Sequence, residues 1–179
     1  MDGSKPEAFA IWITGLPASG KSALTAAVKA ALARRGVEVE VLESDVLRKI
    51  LTPEPRYHEE ERNVFYRLMV SHGVLHVQHR GPVIFDATAN RRAYRDWARE
   101  QIGRFLEIYV DTPVSICMAR DPKGIYRKAR EGGAASVPGL QAVYEPPEAA
   151  DLVVHGDRET PEEAADRVLA LLVERGWLQ

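Results

Sequence analysis

Cysteine is almost absent: Cys117 is the single one in 179 residues. One thiol closes no intramolecular disulfide and builds no cysteine-based zinc site. Its neighbours in the stretch 114–118 are mostly apolar, so it reads as core material rather than a nucleophile. An excess of charge is missing as well. There are 24 basic and 26 acidic residues, a net charge of −2, so no global basic field recruits nucleic acid. No apolar run approaches the roughly 18 residues of a membrane span. The first residues, M-D-G-S-K-P-E-A, carry no apolar stretch of the secretory kind. There is no internal repeat and no clear second domain. The expectation is one domain over residues 1–179, cytoplasmic, with a small-molecule partner, no nucleic acid and no membrane.

The strongest positive signal is Gly15 to Ser22, G-L-P-A-S-G-K-S, which fits the phosphate-loop pattern G-x-x-x-x-G-K-[ST] at every fixed position. Its flanks agree. Phe9 to Ile13 is an apolar run of strand type, and Ser22 to Arg35 has helical character. A strand, a glycine loop and a helix aim backbone N–H groups at phosphate oxygens. Gly15, Ala18, Ser19 and Gly20 form the cradle, Lys21 meets the β- and γ-phosphates, and Ser22 ligates Mg²⁺. The implied ligands are ATP and Mg²⁺.

Strand and helix signals then alternate, which predicts an α/β fold with a largely parallel sheet. Strands are expected at 37–42, 83–85, 105–110 and 151–154, and helices at 46–51, 58–79 and 91–102. Thr160-Pro161-Glu162-Glu163 is a capping box with proline at the first helical position. Residues 121–147 differ from the rest: basic first, then rich in Gly, Ala, Ser and Pro. They are expected to bury little and to act as a mobile lid.

Asp45 ends the second strand, where an acceptor hydroxyl or a hydrated metal would sit; the plainer reading is a cap for the helix after it. Asp86 ends the third strand and is either a metal-side carboxylate or a cap. Arg48 and Arg62 suit an anionic acceptor, although a solvated arginine is the usual fate. Lys123, Arg127, Lys128 and Arg130 are cations able to close over phosphates, or else a solvated basic face.

Three further strings sharpen this. They are Val110-Asp111-Thr112-Pro113, Arg120-Asp121-Pro122-Lys123-Gly124-Ile125-Tyr126-Arg127-Lys128-Ala129-Arg130, and Tyr144-Glu145-Pro146-Pro147-Glu148. In order and spacing they resemble the lid half of adenylylsulfate kinases: V-D-T-P, R-D-P-K-G-L-Y-K-K-A-R and P-Y-E-x-P-E. Asp45-Val46-Leu47-Arg48 matches the end of that family's D-G-D-x-x-R, and Glu61-Arg62 its D-R. The resemblance implies a three-layer phosphate-loop kinase with a mostly parallel five-stranded sheet flanked by helices. It implies transfer of a phosphoryl group from ATP to the ribose 3′-hydroxyl of adenylylsulfate, and a homodimer. Lys21, Asp45 and Lys123 would be catalytic. Arg120 and Arg127 would meet the donor nucleotide. Arg48, Tyr57, Arg62, Lys123 and position 137 would meet the acceptor, and Ser22, Asp45 and Asp86 the metal.

The departures cluster on the acceptor side. Glu43-Ser44-Asp45 replaces D-G-D, and Thr88-Ala89-Asn90-Arg91-Arg92 replaces I-S-P-Y-R. Phe65 stands where the family has asparagine, with Asn63 nearby. The family's phenylalanine, which stacks on the acceptor's adenine, is Val137 here. Such stacking is worth about 1–3 kcal/mol, and Tyr57 is near the family's other aromatic position. Two alternatives follow. One is a kinase of the same scaffold acting on a hydroxyl of another nucleotide conjugate, a sugar or a small alcohol. The other is a nucleotide-binding regulator without turnover, which the joint presence of Lys21, Ser22, Asp45 and the basic lid opposes.

Overall fold

A computed structural model describes residues 8–79, 81–133 and 136–179. The first seven residues of the stretch M-D-G-S-K-P-E-A lie outside the described residues, as do 134 and 135 within the lid. Strand β1 (Ala10–Gly15) leads through the glycine loop into α1 (Lys21–Arg34). Then come β2 (Glu40–Glu43), α2 (Ser44–Leu51), α3 (Glu59–His79), β3 (Val83–Asp86), α4 (Arg92–Gln101) and β4 (Phe105–Asp111). The chain continues through α5 (Val114–Arg120), α6 (Ile125–Arg130), β5 (Leu152–His155) and α7 (Pro161–Glu174).

The five strands run in the order β2-β3-β1-β4-β5, and every neighbouring pair is parallel. All six residues of β1 are buried. Phe9, Ile11 and Ile13 face a core shared with Leu24, Val28, Val168 and Leu172 of α1 and α7. Ala10 and Trp12 face the opposite core, with Phe65, Met69, Phe85 and Tyr94. Alternate residues of one strand thus feed two apolar cores, as a sheet covered on both faces requires. Helix α3 comes close to the sheet at Gly73, where a Cβ would stand 2.1 Å from Phe85 Cζ.

The second strand starts later than expected. Gly36, at φ +74°, turns the chain, and the N–H of Val37 bonds back to Leu32 O at 3.0 Å. Val37 therefore closes the end of α1 instead of pairing in the sheet. At α7 the capping box is complete: Thr160 Oγ1 accepts from the N–H of Glu163, and Glu163 Oε2 accepts from the N–H of Thr160.

In the lid most described residues are exposed or half-buried, as expected, and the few buried ones have a definite place. Tyr126, Ala129 and Val137 are buried with Cys117 in a third apolar cluster, against Leu16, Ala18, Met118 and Ile125. Tyr126 Oη donates to Pro17 O at 2.9 Å, tying α6 to the glycine loop. The segment buries little, but what it buries is anchored. It packs on the phosphate loop through one aromatic ring and an aliphatic underside. Cys117 is core, as its surroundings in sequence suggest: fully buried, with its pKa raised by burial.

Candidate active site

The carboxyl ends of β1, β2 and β3 open onto a cavity of about 350 Å³, the position where open parallel sheets bind ligands. One wall is the glycine loop, with Pro17, Ala18, Gly20, Lys21 and Ser22. Glu43, Ser44 and Asp45 form a second wall, Asp86 and Thr88 a third, and Arg120 to Lys123 the lid side.

The loop's shape follows from its residues. Gly15 has φ +155°, and a Cβ there would stand 2.7 Å from Ser19 Oγ and from Val110 O. Gly20 caps α1 at φ +110° without a side-chain bond, so the first turn of the helix is left open to an anion. Thr112 Oγ1 donates to Ser19 O at 2.8 Å and fixes the loop from the β4 side. Lys21 Nζ donates to Leu16 O at 2.9 Å. Burial lowers its pKa, while Asp86 and Asp45 act to raise it.

Asp86 is 5% exposed, and its Oδ2 has no hydrogen-bond partner. Burial raises its pKa, and Lys21, Ser22 and Thr25 pull the other way. It caps nothing, since the N-cap of α4 is Arg91. A buried, unpaired carboxylate oxygen close to Ser22 fits a divalent cation or its bound water. Ser22 is the second residue of α1, so its hydroxyl leaves the helix at the loop end.

Asp45 is no cap either. Helix α2 begins at Ser44, one residue before it, with Glu43 as an N-cap that makes no side-chain bond. Asp45 thus sits in the first turn, where a carboxylate is favoured by the helix dipole. Lys123 Nζ reaches its Oδ2 at 2.5 Å across the mouth of the cavity. This contact raises the Lys123 pKa. Carboxylate and ammonium, 78 residues apart in sequence, meet where a phosphoryl group would pass.

Arg48, Tyr57 and Arg62 form a cluster of their own rather than lining the cavity. Arg48 and Arg62 are 8% and 7% exposed, so neither is the solvated arginine of the plainer reading. The Arg48 guanidinium lies 3.9 Å from the Phe65 ring centroid and 5.1 Å from that of Tyr57. Arg62 Nη2 donates to Ser136 O at 2.7 Å and Oγ at 3.2 Å. Arg48 Nη1 and Arg62 Nε have no hydrogen-bond partner, and Arg48 Nη1 is ion-paired with Glu61 Oε1 at 3.6 Å. Two buried guanidinium groups with spare donors suit an anion. Glu61 shapes the turn beside them: its carboxylate accepts from the N–H groups of Arg56 and Tyr57, and Tyr57 is held at φ +57°.

Two further expected site residues lie away from the cavity. Val137, 5% exposed, is packed into the lid cluster and does not face the cavity. The family position that makes it an acceptor residue by resemblance is overridden by its packing on the apolar underside of the lid. Arg127 folds back over Gly124, where a Cβ would meet its Nη2 at 3.1 Å, and lines neither cavity. Arg120, in contrast, borders both the main cavity and a second one of about 280 Å³ between α1, Gly156 and the start of α7. Its Nη2 donates to Gly156 O at 2.8 Å.

Sequence reasoning missed Thr88 and Tyr144 as parts of the site. Thr88 lines the cavity, and its carbonyl accepts from Thr14 Oγ1 at 2.7 Å. Tyr144 Oη shares a 3.0 Å hydrogen bond with that same Thr14 hydroxyl, 130 residues away. The motif around Tyr144 was visible, but nothing local pointed to its partner.

Known proteins resemble this chain in sequence and fold. The family profile described as adenylylsulphate kinase matches residues 7–155. A probable adenylyl-sulfate kinase of Pyrococcus abyssi is 35% identical over 172 residues, covering 96% of this chain and 99% of that protein. The adenylyl-sulfate kinase of Microcystis aeruginosa is 35% identical over 181 residues, covering 97% of this chain and 96% of its own. Among solved structures, the APS kinase CysC of Mycobacterium tuberculosis, in complex with AMPPNP and APS, superposes with a TM-score of 0.87. It is 31% identical and covers 94% of this chain and 99% of that one.

Proposed function

This chain belongs to the adenylylsulphate kinase family, and from that premise we propose that it phosphorylates the ribose 3′-hydroxyl of adenylylsulfate with ATP, releasing ADP and 3′-phosphoadenylylsulfate. The observation that carries this reading is the meeting of Lys21, Asp45 and Lys123 around one cavity. The M. tuberculosis relative, whose complex holds AMPPNP and APS, supports a donor and an acceptor nucleotide on this scaffold.

Each group has a task. The open first turn of α1 and the loop amides hold the β- and γ-phosphates, and Lys21 exchanges its bond to Leu16 O for phosphate oxygens. Arg120 and the second cavity flank the donor side. Asp45 accepts a hydrogen bond from the attacking hydroxyl and takes its proton as the bond to phosphorus forms. Lys123, already against Asp45, neutralises charge on the moving phosphoryl group. Arg48 and Arg62 hold the anionic tail of the acceptor. Ser22 and Asp86 would hold Mg²⁺, with Asp45 acting through water; the ion supplies charge neutralisation on phosphate oxygens. Among the described residues no helix is long and apolar enough to cross a membrane. We further propose a homodimer, which light scattering of the purified chain tests.

The burial of Val137 in the lid cluster, where it offers no ring to an acceptor base, favours a second reading, a different hydroxyl acceptor on the same scaffold. Mass analysis of products separates the two. The chain is incubated with Mg²⁺, ATP and either adenylylsulfate or a panel of nucleotide conjugates, sugars and small alcohols. A phosphorylated adenylylsulfate is the expected result. Phosphorylation of a panel compound with adenylylsulfate untouched would replace the assignment.

A further inference from the structure

We infer that Arg95 is a positioning residue for phosphoryl transfer: from outside the cavity, its one buried guanidinium fixes both the acceptor-side wall and the point where the chain leaves the lid. The inference rests on the reading of the cavity as a kinase site.

Arg95 projects from α4 and is 1% exposed. Its Nε donates to Glu107 Oε1 on β4 at 2.6 Å. Its Nη1 donates to Ala89 O, and its Nη2 to Glu145 O at 2.7 Å. One planar fork thereby joins three segments: a sheet strand, the loop leaving β3, and the segment leaving the lid.

The loop leaving β3 needs such a hold. Thr88 lines the cavity, and the next residue, Ala89, stands at φ +42°. A left-handed alanine costs about 1–2 kcal/mol and persists only where its surroundings over-determine it. Arg95 takes its carbonyl, and its N–H donates to Tyr66 Oη at 3.1 Å. The lid exit is bound to the same loop. The N–H of Glu145 donates to Asn90 O at 2.8 Å, and Asn90 Nδ2 donates to Val143 O at 3.0 Å. The N–H of Arg92 donates to Glu145 Oε2 at 2.8 Å. Tyr144 closes the circuit through Thr14 to the Thr88 carbonyl. Thr14 immediately precedes Gly15, so phosphate loop, acceptor wall and lid exit share one frame with Arg95 at its centre.

A buried ion pair kept only for the fold behaves differently. Its two charges together can be replaced by well-packed apolar groups of similar volume at little cost, although removing one alone is strongly destabilising. Two carbonyls from separate segments plus a carboxylate call for a fork, and an ammonium cannot reproduce it. Arg95→Lys is therefore the discriminating variant, since it keeps a positive charge against Glu107 and gives up the fork. Tyr144→Phe is its companion, removing one hydroxyl and no buried charge.

Both are made in the full chain and read in two ways. The first is the Michaelis constant for the acceptor that the unmodified chain uses, set against that for ATP. Displacing a wall by a fraction of an ångström is expected to raise the acceptor constant about tenfold in Arg95→Lys, less in Tyr144→Phe, with the ATP constant within about twofold. The second is the rate of tryptic cleavage after the exposed Lys128 and Arg130 of the lid, measured well below each variant's melting temperature. It is expected to rise several-fold in both. If Arg95→Lys lowers the melting temperature but leaves either readout at the unmodified value, Arg95 merely holds the fold and the inference is overturned. Should Arg95→Lys fail to fold, Tyr144→Phe decides by the same readouts. The cleavage rate needs no substrate. An unmodified chain inert toward adenylylsulfate would thus unseat the proposed function while this inference still stands or falls on the lid.

Discussion

Replacing Val137 by phenylalanine separates the resemblance from the structure. By resemblance, a phenylalanine at this position stacks on the adenine of the acceptor and should improve its use. In the fold, Val137 lies at 5% exposure among Cys117, Tyr126 and Ala129. Its backbone is pinned: the carbonyl accepts from the N–H groups of Leu140, Gln141 and Ala142 at 2.9–3.1 Å, and its own N–H donates to Gln141 Oε1 at 3.2 Å. The neighbouring Ser136, at φ +75°, is held by Arg62. An isopropyl group becomes a benzyl group in a closed cluster on a fixed backbone. Overpacking of this kind costs about 1–3 kcal/mol. At roughly 2–4 °C per kcal/mol for a domain of this size, the melting temperature should fall by about 2–12 °C. The ring gains nothing from the acceptor, so the acceptor Michaelis constant should stay level or rise. Calorimetry and steady-state kinetics on Val137→Phe read both quantities. An unchanged melting temperature with an acceptor constant several-fold lower would mean that the ring has swung out to stack on the base, and the lid packing described above would be refuted.

Three other outcomes follow from the geometry. Asp45→Asn should lower turnover by about 10²-fold or more while leaving ATP affinity nearly unchanged; equal losses in both would remove Asp45 from the acceptor side. Its pair with Lys123 is more than half exposed on both sides, so the variant should unfold within about 1 kcal/mol of the parent. Asp86→Asn should raise the melting temperature at neutral pH and abolish most activity. The folded pKa of Asp86 is raised above its ordinary 3.8. Its stabilising contribution is therefore complete below that value and lost as the pH rises through the folded pKa. The gain in Asp86→Asn should shrink as the pH is lowered toward 4, and thermal scans across that range check the sign. Gly73→Ala should destabilise by about 1–3 kcal/mol because its Cβ would fall 2.1 Å from Phe85 Cζ; denaturant titration with an unaltered midpoint would contradict this close approach of α3.

The donor half of the site is readable because its determinants are local. Gly15, Gly20, Lys21 and Ser22 lie within eight consecutive positions, and the strand before them and the helix after them announce themselves by apolar pattern. Local hydrogen bonding also explains the capping box at Thr160. The acceptor half is built differently. Arg48 and Arg62 look like surface arginines in sequence, and what buries them is the Phe65 ring on α3, the Tyr57 turn and the lid residue Ser136. Asp45 reads in sequence as either an acceptor-side carboxylate or a cap until Glu43 takes the cap position, and its chemical partner comes from the lid, 78 residues on. Val137 shows the same limit from the other side. A family position says where a side chain stood in relatives, whereas packing against Tyr126 and Cys117 decides where this one points. Departures such as Ser44, Ala89 and Val137 therefore cannot be weighed one residue at a time. Ala89 has meaning only with Tyr66 and Arg95 holding its two peptide groups, and a change at any of the three moves a wall of the cavity. Acceptor choice in this chain is a property of that connected frame, and variants of Arg95 and Tyr144, which do not line the cavity, should alter it as surely as variants of residues that do.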